Sequence, residues 1–154
     1  MTDDARFAEG RAAGPLRLWA ADAEGLQVIS ALLQDAVLPA SEMRWSRSRR
    51  QIVMLVNRFR WEAKARPPQR VQSILTIAEA RGARGQGVVP GDAGTVLSLL
   101  ALEWRPGTDA EGHLRLTFAG DGVVEVDCEC LDVTLRDVTR PYVAPSGKVP
   151  GHPE

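Results

Sequence analysis

The chain is poor in the residues that most active-site chemistry requires. It has 154 residues but only two cysteines and two histidines. Cys128 and Cys130 would share one face of a strand at neighbouring positions, a poor geometry for bonding to each other. A disulfide framework is therefore excluded, and a reducing cytoplasm is the expected setting. Long apolar runs are also missing. None approaches the roughly 18 residues of a membrane span; the longest candidate, V-L-S-L-L-A-L from Val96, is strand-sized, so no membrane association is expected. The opening M-T-D-D-A-R-F-A-E-G-R is acidic and lacks an apolar core, so it does not read as a secretory signal. The glycine-rich G-A-R-G-Q-G is followed by neither Lys-Ser nor Lys-Thr and sits in no strand-to-helix unit. No phosphate-loop or dinucleotide site, and no cofactor, is expected from it.

What is present fits one globular domain. The composition is 44% hydrophobic and 25% charged, ordinary for a soluble protein able to build a core. We place the domain at residues 14–140, with flexible tails at 1–13 and 141–154. Net charge is −1, unevenly spread: residues 1–40 sum to −3, residues 41–70 to +7 and residues 71–154 to −5. Such a split suits an anionic partner, or basic and acidic strands side by side in one sheet.

Local patterns predict an α+β fold. P-L-R-L-W-A-A (15–21) reads as a strand. Asp22 has the chemistry of a helix N-cap, with Glu24 in the first turn. Leu26, Ile29, Leu33 and Val37 follow at helical spacing, predicting one main helix over 23–37 that stops before Pro39. From Ser41 the period changes to two. Strands are expected at 43–46, 51–61, 71–77 and 96–104, with a long glycine-rich loop at 81–95. H-L-R-L-T-F-A and V-V-E-V-D-C-E-C alternate around G-D-G. A three-residue loop, Gly120 to Gly122, would set Phe118 opposite Val124 and Leu114 opposite Cys128, with Gly122 left-handed. The outer face would then pair Arg115 with Asp127 and His113 with Glu129. L-D-V-T-L-R-D-V (131–138) fits a short helix or a strand, and we favour a closing helix. The resulting fold class is a mainly antiparallel, curved sheet of about six or seven strands with one main helix packed on it.

Three groups of residues could carry function. Glu125, Asp127 and Glu129 line one strand face, as paired carboxylates do in metal-dependent or small hydrolytic enzymes. The expected basic neighbours make a solvated, salt-bridged face the more economical reading. Cys128, Cys130 and His113 do not converge as a zinc site requires, since the histidine points away from the cysteines. N-R-F-R-W-E (57–62) interleaves arginines with aromatics just after R-S-R-R. A single-stranded nucleic-acid binder needs rings and charges on one exposed face. Strand alternation sends Phe59 and Trp61 inward and leaves Arg58 and Arg60 outside, so the arginines are expected to meet neighbouring carboxylates. Arg44, Arg47, Arg49, Arg50, Arg58 and Arg60 remain the residues available to an anion or nucleic acid. No catalytic residue and no metal ligand is assigned.

L-x-L-x-A-x-D (16–22), V-I-S-A-L-L-Q-D-A-V (28–37), V-N-R-F-R-W-E (56–62), V-L-S-L-L-A-L (96–102) and the segment 118–138 together resemble a bacterial family known as domain of unknown function 2948. The resemblance runs from Leu16 to Val138 in the same order. It implies a compact bacterial cytoplasmic domain and no activity. The expectation is a non-enzymatic binding or interaction module for a protein partner or a second copy, with Gln34 and Asp35 as polar contacts at the helix end. RNA or single-stranded DNA binding through 44–60 is the alternative, and a small hydrolase or metal enzyme a further one.

Overall fold

The computed structural model describes residues 15–64, 66–89, 92, 94–144 and 149–151. The segment 1–13, read above as a flexible tail, lies outside them. The class is α+β, as the periodicities indicate, but the strand count is larger than six or seven. Among the described residues eleven strands form one open, antiparallel sheet. They are β1 (Arg17–Ala20), β2 (Val37–Pro39), β3 (Met43–Ser46), β4 (Gln51–Phe59), β5 (Gln69–Ile77), β6 (Ala80–Gln86), β7 (Val96–Pro106), β8 (Gly112–Phe118), β9 (Val123–Cys128), β10 (Val133–Asp137) and β11 (Tyr142–Val143). The main path runs β1-β10-β5-β4-β2-β7-β8-β9-β6, with β3 added beside β4 and β11 beside β5.

The one α-helix among the described residues, α1, spans Ala23–Leu32 rather than 23–37. Its start is as read: the Asp22 side chain accepts from the Gly25 amide at 2.7 Å. Its end comes earlier because Asp35 takes a left-handed φ of 65° and its amide leaves the helix for the Leu99 carbonyl at 2.8 Å. Val37 then enters the sheet as the first residue of β2, which pairs with β4 on one side and β7 on the other. Its helical spacing from Leu33 was coincidental. Leu26, Ile29 and Leu33 are nonetheless buried, worth about 4.5–9 kcal/mol gross at about 1.5–3 kcal/mol each. The helix packs on β1 and β7, elements from the two halves of the sheet that β2 joins. Ser30 Oγ accepts from the Leu102 amide at 2.9 Å, fixing helix to strand.

Residues 131–138 contain β10, not a helix. Two-residue alternation wins there: Leu131, Val133 and Leu135 are all buried, and β10 lies between β1 and β5. The glycine-rich stretch read as a loop from residue 81 instead begins with β6, paired with β9 through a bulge at Arg81. In the β8–β9 hairpin the faces are as expected, but the register is displaced by two residues, with Leu116 opposite Val124 and His113 opposite Asp127. The Phe118 amide bonds the Gly122 carbonyl at 2.8 Å, and Gly120 and Asp121, not Gly122, take the left-handed conformation. A two-residue displacement preserves inward and outward faces, so Leu114, Leu116, Val124, Val126 and Cys128 are buried. Beyond Pro141 the chain stays with the sheet, since β11 pairs with Gln69 and Arg70 and Ala144 is buried.

Candidate functional site

The six arginines proposed for anion contact fall into two separate environments. Arg44, Arg47, Arg49 and Arg50 are exposed around the β3–β4 hairpin, whereas Arg58 and Arg60 are buried. Their expected outward placement is therefore wrong for the last two. Ile52, Met54, Val56 and Arg58 occupy one inward face of β4, because a strand repeats every second residue. Arg58 is fully buried at 0% exposure. Phe59 is buried as well, since the strand ends there and the Trp61 amide turns back onto its carbonyl at 3.0 Å. The two rings meet edge to face with centroids 4.6 Å apart.

A buried guanidinium is tolerable only when paired and hydrogen-bonded. Arg58 Nη1 and Nη2 donate to Glu62 Oε1 and Oε2 at 2.9 and 2.8 Å, a bidentate fork. Nη2 also donates to Asp137 Oδ1 at 3.0 Å, Nε to Ser73 Oγ at 3.0 Å, and Nη1 to the Phe59 carbonyl at 3.3 Å. The five donors of the group are thereby used, leaving none for a ligand. Asp137 in turn accepts from Ser73 Oγ at 2.7 Å and from the Leu16 amide at 2.9 Å. Burial disfavours both charges, yet the mutual bonds and charges prevail: Arg58 is held above its ordinary pKa and Glu62 below its own. The cluster is an internal clamp joining β4, β5, β10 and the chain ahead of β1. Arg60 donates to Gln69 and lies 3.8 Å from Glu62.

The stretches L-Q-D-A-V and N-R-F-R-W-E meet in space. Val37 pairs with Asn57 across β2 and β4, and Trp61 Nε1 donates to the Gln34 carbonyl at 3.0 Å. It is the backbone of Gln34 that makes this contact. Arg70 Nε donates to Asn57 Oδ1 at 2.6 Å, and Asn57 Nδ2 to the Tyr142 hydroxyl, so the outer side of this junction is also tied.

Glu125, Asp127 and Glu129 project outward as expected and each faces a base. Arg84 and Arg115 approach Glu125 at 2.9 and 3.8 Å, Arg81 and His113 approach Asp127 at 2.9 and 3.9 Å, and Arg50 bonds Glu129. Arg81 also bridges to Glu111. Glu125 and Asp127 line a shallow cleft of about 180 Å³ with His113 and Arg84. A general acid at neutral pH needs a raised carboxyl pKa. Glu125 is shifted the other way, because Arg84 hydrogen-bonds its ionised form. Cys128 is buried, and burial pushes its thiol up to about 12. Cys130 is partly exposed; both thiols are free. Among the described residues no group of three or more His, Cys, Asp or Glu is placed to hold a metal, and no helix is long and apolar enough to cross a membrane.

The exposed hairpin carries unspent charge, as do Arg17 and Arg136, opposed across β1 and β10. Arg47 and Arg49 are exposed and make no side-chain ion pair among the described residues. Arg44 lies 3.7 Å from Glu42 in a solvated pair. Trp45, between Arg44 and this turn, is 39% exposed. The signal that separates Arg58 from these arginines is its alternation with Ile52, Met54 and Val56 on β4, which its residue type argued against.

No curated protein and no solved structure matches the chain. The model of one family does, over residues 16–152. With that match extending from the strand before the clamp to beyond β11, the chain belongs to the family described as protein of unknown function (DUF2948).

Proposed function

We propose that the protein is a non-enzymatic binding module of the reducing cytoplasm, recognising another protein. One observation carries this reading: the sheet is open, with single-sided strands at β1, β3 and β6, while the ionisable groups suited to chemistry are engaged with one another. An edge strand offers unpaired backbone groups to a partner chain. Saturated ion pairs offer little to a substrate. Two free thiols, one of them buried, suit a reducing setting. The test is capture from a native lysate on immobilised full-length protein, washed at moderate salt and compared with a variant carrying Arg47→Glu and Arg49→Glu. A specific protein retained by the wild type supports the reading; recovery of none overturns it.

A second reading, RNA or single-stranded DNA binding, is favoured by exposed Trp45 beside Arg44 and Arg47. A ring to stack on and guanidinium groups for phosphates are what such binders combine. The available footprint is smaller than residues 44–60 implied, because Arg58 and Arg60 are interior. Anisotropy of a labelled mixed oligonucleotide should then show affinity that falls steeply with salt. No binding at low ionic strength removes this reading.

A further inference from the structure

Among the described residues strand β3 pairs with β4 alone and β6 with β9 alone, apart from one bond from the Ala80 amide to the Arg50 carbonyl at 2.9 Å. Their unpaired sides border a common groove of about 70 Å³, lined by Met43, Trp45 and Ile52 on one side and by Ala83, Arg84 and Val124 on the other. We propose that this groove accepts an extended acidic segment of a partner protein, docked as an added strand. The proposal rests on the reading of the chain as a protein-binding module and names its surface and the chemistry of its partner.

Three features converge on that occupant. The groove floor is apolar, with Ile52 and Val124 buried and Trp45 partly exposed above them, so one side chain of an incoming strand has a seat. The β6 wall is low: Ala83 and Gly85 line it beside Arg84. Small side chains there leave the strand's backbone reachable at the roughly 4.8 Å spacing of paired strands. The rim is basic. Its unbalanced charge comes from Arg47 and Arg49, exposed in the adjoining turn, while Arg44 and Arg84, with side chains 73% and 77% exposed, face Glu42 and Glu125.

The same charge argues against a second copy of this chain as the occupant. Two β3 or two β6 edges brought together would oppose arginine to arginine, which costs stability directly across a strand pair. An acidic strand gains where a like strand loses. A nucleic acid could use the arginines but has no amide ladder to offer the two strand edges.

The test uses the full chain. Random short peptides displayed on phage are selected against it, and the enriched sequences are synthesised with a fluorescent label. Asp or Glu alternating with apolar residues should dominate. Amide shifts on titration should concentrate in Met43–Ser46 and Ala80–Gln86. Arg47→Glu with Arg49→Glu, at solvated positions that leave the fold intact, should weaken binding about tenfold, and Trp45→Ala should weaken it as well. Methylating alternate backbone nitrogens of the peptide should abolish binding on the edge it would pair. Basic or unpatterned winners, shifts elsewhere in the molecule, or indifference to backbone methylation overturn the proposal while leaving a binding module in place. Binding of a labelled oligonucleotide with no peptide enriched overturns both. The absence of any selected peptide, together with an empty lysate capture, does so too.

Discussion

Removing the carboxylate of Asp137 should be among the most damaging single changes available in this protein. The side chain is almost wholly buried, and its two oxygens accept from Arg58, Ser73 and the Leu16 amide. In Asp137→Ala the guanidinium keeps Glu62 but loses its second counter-charge. The Leu16 amide and the Ser73 hydroxyl lose their acceptor at the same time. Breaking a buried ion pair by deleting one partner costs about 3–5 kcal/mol, because the remaining charge stays desolvated. A domain of this size shifts its melting point by about 2–4 °C per kcal/mol, so the drop should be about 6–20 °C. Thermal melts followed by circular dichroism measure it directly. The double variant Arg58→Met with Asp137→Leu removes charge and counter-charge together. It should be less destabilised than the sum of its single changes, with a coupling energy of about 0.5–3 kcal/mol. If Asp137→Ala melts within a degree or two of the wild type, the clamp does not hold the strands together and the argument for its structural role fails.

Acid should act on the same clamp through Glu62. Its folded-state pKa is depressed, because the Arg58 bonds outweigh the opposing effect of burial. A depressed carboxyl contributes fully above its unfolded value of about 4.3 and loses that contribution as pH falls through the folded value. The urea midpoint should therefore decline on acidification below that range, and a midpoint that rises there contradicts the assignment. Gly112→Ala should cost about 1–3 kcal/mol by overpacking, since the added Cβ would lie 2.5 Å from the Arg105 carbonyl oxygen and 2.6 Å from the Trp104 ring; an unchanged denaturant midpoint would show that β7 and β8 can separate there. Cys128 should resist a thiol reagent until the protein unfolds, while Cys130 reacts in the native state. Equal native rates for the two, measured by release of the reagent's chromophore, would contradict the burial of Cys128.

Local chemistry was legible where one short stretch decides the outcome. The Asp22 cap, the Leu26/Ile29/Leu33 stripe and the inward face of β9 needed only their own residues. What failed depended on distant partners. The end of α1 is fixed by Leu99, which captures the Asp35 amide from the other half of the sheet. Strand β6 has little strand propensity, with four small residues beside its two arginines; it forms by pairing along β9, where Glu125 and Asp127 meet Arg84 and Arg81. Strand β10 is short enough to satisfy helical or strand spacing, and its place between β1 and β5 selects the strand. The hairpin register depended on two left-handed residues, one of them Asp121, a conformation that aspartate tolerates and sequence alone does not announce.

Arg58 shows most clearly how a correct period can carry a wrong phase. Ile52, Met54 and Val56 define the inward face of β4, and simple alternation already placed residue 58 beside them. Residue type argued the reverse, since an aromatic next to an arginine is normally the one that goes inside. Half of the resolution was local: Glu62 stands four residues on and supplies the bidentate partner. The other half was not, because Asp137 lies 79 residues away. Burial of this arginine moves the functional question elsewhere. A surface spanning 44–60 would have suited a long polyanion, with rings and guanidinium groups along an entire strand. With Arg58 and Arg60 committed inside, the basic surface shrinks to one hairpin beside an unpaired strand edge. A footprint of that size and shape matches a single acidic strand better than an extended nucleic-acid track.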